Sequence, residues 1–101
     1  MKKRFFAIIP VLNAEDMNKV LVYLNDVHKK EVMHTAHFEK VLIFPTDGEP
    51  EITVIMVAKS VEHADQYEKD DRAEIGGHYV RDLVDTGLVG PAKKWTSTTE
   101  E

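Results

Sequence analysis

Two stretches of this chain are apolar on both parities, and they limit the folds open to it. Residues 4–12, RFFAIIPVL, and residues 51–58, EITVIMVA, are dominated by apolar and β-branched side chains. Side chains of a strand alternate between its two faces, so segments of this kind belong in a sheet that is covered on both sides. Pro10 has no N–H to give a ladder and is expected at a strand end or a bulge. A chain of 101 residues makes one domain with one modest core, 1–101. A single layer of helices covers only one face of its sheet.

Helical spacing fills the intervals between strands. Asn13 is a suitable N-cap, with Glu15 and Asp16 in the first turn to suit the helix dipole. Met17, Val20, Leu21, Leu24, Val27 and His28 then recur as one buried stripe, which predicts a helix from about Ala14 to about Glu31. Val32-Met33-His34 either close it or open the next strand. Residues 35–44 read as the second strand, and 51–58 as the third. Asp47-Gly48 between Pro45 and Pro50 makes the turn of an antiparallel hairpin. Ser60 caps a second helix with Ala64, Tyr67 and Ala73 or Ile75 facing inward. Gly76-Gly77 is expected to interrupt it, since each glycine costs a helix about 1 kcal/mol relative to alanine. The pattern resumes over 78–86, Gly87 is a natural C-cap, and 88–91 or 92–96 supply a short last strand. From about residue 96 the tail is polar and is expected to fray.

The order is β, α, β, β, α, β. Two right-handed βαβ units joined through a hairpin give an α+β, ferredoxin-like antiparallel sheet with helices on one face. Strands that are apolar on both sides then predict a second copy against the other face, hence a homodimer.

Composition removes several function classes. There is no cysteine, so disulfides, thiol catalysis and thiolate metal sites are excluded. A net charge of −5 argues against nucleic acid as a partner. Lys2-Lys3-Arg4 before Phe5–Ile9 has the look of a signal peptide, but Pro10, Asn13, Glu15 and Asp16 end the apolar run with no cleavage site. No stretch approaches the roughly 20 apolar residues that span a bilayer. A cytoplasmic chain without a membrane partner is expected.

In order and length the chain resembles the dimeric α/β-barrel superfamily, and within it the YCII-related group. The likeness rests on the apolar first strand, Tyr23-Leu24-x-x-x-His28 in the first helix and the Asp47-Gly48 turn. It extends to Val57-Ala58-Lys59-Ser60-Val61-Glu62-His63-Ala64 and Asp70-Asp71-Arg72-Ala73-Glu74-Ile75-Gly76, although Arg72 stands where the group carries proline. The second half is also similar to the antibiotic-biosynthesis monooxygenases of the same superfamily. The resemblance implies two sheets packed face to face and a small-molecule pocket between each sheet and its helices. It further implies a catalytic role for His28 with Asp71 as partner.

The residues themselves offer the following chemistry. His28 falls beside the inward stripe, where an imidazole acts as general acid or base near neutral pH; alternatively it is a boundary residue whose cation suits the helix C-terminus. His63, Tyr67 and Asp71 share one helix face at i, i+4 and i+8, either as a proton-transfer column or as a solvated surface. His78-Tyr79 follow the double glycine, as a pocket lid or as a plain kink. His34-x-x-His37 makes a metal pair only on a helix, because on a strand the two side chains diverge. Trp95 suits an interface core, and Lys93-Lys94 suit an anionic ligand.

Two functions follow. One is a small cofactor-independent enzyme that needs no metal and performs proton transfer of lyase, isomerase or oxygenase type on a small organic substrate. Its catalytic set would be His28, Asp71, Tyr67 and His78. The other is a non-catalytic binding or regulatory module acting as a homodimer.

Overall fold

The computed structural model describes residues 1–100. The chain forms β1 (Lys2–Pro10), a 3₁₀ turn (Ala14–Asp16), α1 (Met17–Tyr23), a π-helical turn (Leu24–His28) and α2 (Lys29–His34). There follow β2 (Phe38–Pro45), β3 (Glu51–Ala58), α3 (Val61–Asp70), α4 (Arg72–Tyr79), a second π-helical turn (Val80–Val84) and β4 (Lys93–Thr99). The strands lie in the order β2-β3-β1-β4 with every neighbouring pair antiparallel. This is the expected ferredoxin-like arrangement, with β1 and β3, the two doubly apolar segments, at its centre.

Alternation along the strands sorts the side chains. Phe5, Ala7 and Ile9 of β1, and Ile52, Val54 and Met56 of β3, join the core under the helices. In β2 the parity changes: Phe38 and Val41 are both buried although they stand three positions apart, which on a regular strand puts them on opposite faces. A register irregularity between Phe38 and Lys40 inserts Glu39 as an extra residue and allows both to point inward. Phe38 meets Phe5 and Tyr67 edge-on, with ring centroids 5.7 and 4.8 Å away.

Both helix starts are capped as their sequences require. Asn13 Oδ1 accepts from the Glu15 N–H at 3.0 Å, and Ser60 Oγ from the His63 N–H at 3.1 Å.

Five details depart from the sequence reading. The first helical segment continues to His34, and β2 starts only at Phe38, after a turn in which Ala36 takes φ 65°. Val27 is exposed rather than inward, because the wider π turn carries it out of the 3.6-residue stripe. Gly76-Gly77 do not break the second helical segment; they lie inside α4, and the junction falls at Asp71. Ala73 is exposed, which leaves Ile75 as the buried residue of α4. Residues 96–99 do not fray but form the edge strand β4, paired with β1 from Ile8↔Lys93 to Lys2↔Thr99. β-Branched threonines favour a strand, and an edge strand exposed to water tolerates their polarity.

The loop before β4 is closely fitted. Gly87 takes φ 76° after the second π turn, as a helix-ending glycine does. The Gly90 N–H bonds Pro10 O at 2.9 Å, and a Cβ there would lie 3.2 Å from a Leu12 methyl.

The packing yields a measurable contrast. Leu24 is fully buried and Val22 is half exposed on the same helical segment. Leu24→Ala should lower unfolding free energy by about 2–5 kcal/mol in urea denaturation. Val22→Ala should change it by no more than about 0.5 kcal/mol.

Candidate functional site

The helices leave a space over the middle of the sheet. A cavity of about 330 Å³ lies there, walled by Phe5, Ala7, Ile9, Val54, Met56 and Tyr67 from below and beside. His28, Tyr79, Arg72 and Gly76 reach it from the helices. Lys94 and Thr96 enter from β4, because they pair with Ala7 and Phe5 and so share their inward face. A more open groove shares Arg72, Gly76, Tyr79, Ala92 and Lys94 with the cavity, so the mouth lies between α4 and β4.

Both π turns border this space. His28 ends the first and Tyr79 immediately precedes the second. Their rings face each other at 5.7 Å. Among the described residues, the buried polar side-chain atoms without a hydrogen-bond partner are His28 Nδ1, Glu31 Oε1 and Tyr79 Oη. A buried polar atom left unpaired costs about 1–3 kcal/mol, and two of these three residues, His28 and Tyr79, line the cavity.

The electrostatics follow from burial. Desolvation holds the His28 imidazole below its ordinary 6.5; Glu31 opposes this and Lys94 adds to it. Burial pushes the Tyr79 and Tyr67 hydroxyls up to about 12, so both remain donors at neutral pH. His28 therefore presents an uncharged imidazole, a hydrogen-bond acceptor and proton acceptor, to an apolar space.

Behind the cavity a polar seam joins the two helical segments. His78 Nδ1 lies 2.5 Å from Glu31 Oε2. The Tyr23 hydroxyl donates to Asp82 Oδ2 at 2.8 Å. Arg81 and then Tyr23, both bonded to the Asp82 carboxylate, hold its pKa at about 2.

Of the four residues singled out from sequence, His28 and Tyr67 line the cavity. His78 is turned to Glu31, and Asp71 lies 3.5 Å from His37 Nε2 rather than beside His28. The His63–Tyr67–Asp71 column is divided: Tyr67 is in the core, while His63 and Asp71 both turn to His37. His34 closes α2 and is exposed, apart from His37. Tyr79 and Lys94 entered the sequence reading only as a lid and a lysine pair, and Glu31 and Arg72 not at all as site residues. Glu31 stands three residues after His28 on a helix, a spacing that was the available signal.

No protein-family model matches the chain, and no curated protein matches it. Solved structures share its fold. A dimeric ferredoxin-like protein from an uncultured marine organism is 11% identical, with TM-score 0.74 over 99% of this chain and 90% of that one. A monooxygenase of Streptomyces coelicolor, solved in complex with nanaomycin D, is 14% identical, with TM-score 0.73 over 98% and 88%. A conserved protein of Methanosarcina mazei is 16% identical, with TM-score 0.71 over 99% and 94%. At these identities the likeness is one of fold. No helix among the described residues is long and apolar enough to cross a membrane.

The buried imidazole makes stability depend on pH. Its folded pKa is lowered, so below the ordinary 6.5 the unfolded chain binds the proton more readily than the folded one. Its contribution is therefore intact above that value and is lost as pH falls below it. Denaturation of the native chain and of His28→Gln at pH 7.5 and 5.5 should show a smaller acid loss in the variant.

Proposed function

We propose that the chain binds a small, largely apolar organic molecule carrying an acidic oxygen, and that His28 removes a proton from it. One observation carries this reading: a buried imidazole, held uncharged by desolvation, lines an apolar cavity large enough for a small ring system. A base whose pKa lies near or below neutral is ready to accept a proton at physiological pH. Lys94, on the cavity side of β4 and close enough to bias His28, stabilises the anion that forms. The Tyr79 hydroxyl donates to the same oxygen or its neighbour. Tyr67 shapes the wall, and His78 steadies Glu31 behind His28. Asp71 acts elsewhere.

The likeness of Tyr23-Leu24-x-x-x-His28 to the YCII-related group, and the nanaomycin D complex of the Streptomyces neighbour, support a small-molecule enzyme of this general type. Lyase, isomerase and oxygenase chemistry share the first step, loss of a proton from the substrate.

The second reading is a binding module without turnover. It is favoured by one feature: among the described residues no carboxylate or carbonyl hydrogen-bonds His28 Nδ1 to orient the ring, as catalytic imidazoles usually require.

A thermal-shift screen of phenols, aromatic acids and quinones identifies a ligand, since binding to the native state raises its melting temperature. With a hit in hand, His28→Ala should reduce turnover by about 10²–10⁴-fold while binding persists. Turnover unchanged in that variant removes His28 as the base. A ligand bound but never converted establishes the module.

The other face of the sheet carries a second part of the proposal, a homodimer. Leu42, Ile55, Phe6 and Trp95 form one row across all four strands through the pairs Leu42↔Ile55, Phe6↔Ile55 and Phe6↔Trp95. Phe6 and Trp95 stack in parallel at 5.2 Å, and Trp95, Leu42 and Phe44 are each more than 40% exposed. An apolar row of this length on a sheet face is covered economically by its own copy. Sedimentation should give a dimer at micromolar concentration, and Leu42→Glu should give a monomer with native secondary structure. A wild-type monomer under those conditions excludes the pairing.

A further inference from the structure

A second constellation lies apart from the cavity, where the start of β2 meets α3. His37 Nδ1 and His63 Nδ1 stand 2.9 Å apart, with ring centroids 5.2 Å apart and planes at 53°. On the far side of the His37 ring, Nε2 is 3.5 Å from Asp71 Oδ2. The His37 side chain is 18% exposed and Asp71 34%, so water reaches the cluster without flooding it.

The backbone fixes both imidazoles. The His37 N–H bonds Thr35 Oγ1 at 3.3 Å, and its carbonyl accepts from the Lys59 N–H at 2.9 Å. The His63 N–H is tied to the Ser60 cap at 3.1 Å. Three segments distant in sequence thus place the two nitrogens face to face.

The Asp71 carboxylate, 3.5 Å from Nε2, biases which nitrogen of His37 carries the proton. A carboxylate favours an N–H on Nε2, which leaves the Nδ1 lone pair pointing at His63. At 2.9 Å the two Nδ1 atoms share one proton in a hydrogen bond; a cation that replaces this proton sits to one side of the line between them, about 2 Å from each. Two imidazole nitrogens at metal–ligand distances of about 2.05 Å lie about 3.3 Å apart in tetrahedral geometry and about 2.9 Å apart when cis at 90°. The observed separation matches the right-angled arrangement, which square-planar and octahedral ions adopt.

We propose that His37 and His63 form a cis pair of Nδ1 ligands for a divalent transition-metal ion of tetragonal preference, copper(II) or nickel(II), with Asp71 holding His37 in the ligating tautomer. Among the described residues no group of three or more His, Asp or Glu side chains gathers as a metal shell, so the remaining positions belong to water. The site is open and exchangeable, and the bound ion ties β2 to α3.

Copper(II) titration of the untagged chain at pH 7.5, followed by electron paramagnetic resonance and by thermal shift, tests this. The expected result is one tight equivalent with hyperfine structure from two imidazole nitrogens and a raised melting temperature. His63→Ala and His37→Ala should each abolish that equivalent and the thermal gain. Asp71→Asn should weaken it by about 10–100-fold through the lost orientation of His37. Zinc(II) should bind more weakly than copper(II). Copper uptake with an unchanged spectrum in His63→Ala, or no stoichiometric uptake by the native chain, overturns the proposal. Circular dichroism of each variant confirms that the fold is kept. Both imidazoles contribute surface contacts rather than core volume, so loss of binding in a folded variant reads on the site itself.

Discussion

The pairing of β1 with β3 is the constraint on which the rest of this molecule depends. These strands run antiparallel from Arg4↔Val57 to Pro10↔Glu51, and both are apolar on two faces. Their inner side chains fix where the helices settle. Their outer ones leave an apolar row in need of cover. Neither strand on its own carries chemistry. Together they form the floor over which His28 and Tyr79 are suspended, and they set β4 so that alternate residues face the cavity and the open side.

The cavity's chemistry is one of deliberate incompleteness. Elsewhere polar groups are answered: Asp82 by Arg81 and Tyr23, Glu31 Oε2 by His78, and the helix starts by Asn13 and Ser60. Among the described residues the buried polar atoms without partners lie on His28 and Tyr79, which line the cavity, and on Glu31 behind them. Desolvation keeps the proton off His28 at neutral pH, so the ring stands in its free-base form. The unpaired atoms thus oppose stability locally.

Much of the fold was legible in the sequence because it rests on periodicities of two and of 3.6. The strands, the hairpin at Asp47-Gly48, both N-caps and the glycine at 87 have local signatures. The errors lie where tertiary context overrides local preference. Gly76-Gly77 remain helical because α4 is held between α3 and the second π turn. Thr96–Thr99 join the sheet because β1 offers them an unpaired edge. The site was half legible: His28 and Tyr67 are inward by spacing, and they line the cavity. Asp71 shares a helix face with His63, yet its partner His37 is remote in sequence, and no periodicity shows such a contact. Glu31 and His78 likewise meet between two helical segments remote in sequence.

The π turn at Leu24–His28 has a further meaning for this helix. It holds one residue more than regular helical winding would need, and Leu24 at its start and Val32 beyond its end are both buried. An α-helical rewinding of that turn would advance everything after it by about 100°. Val32 would leave the core and His28 would swing off the cavity. The helix thus keeps an insertion that length alone does not require. Because of it, the orientation of one imidazole is stored as a count of residues, and the chain is more sensitive here to loss of a residue than to exchange of one.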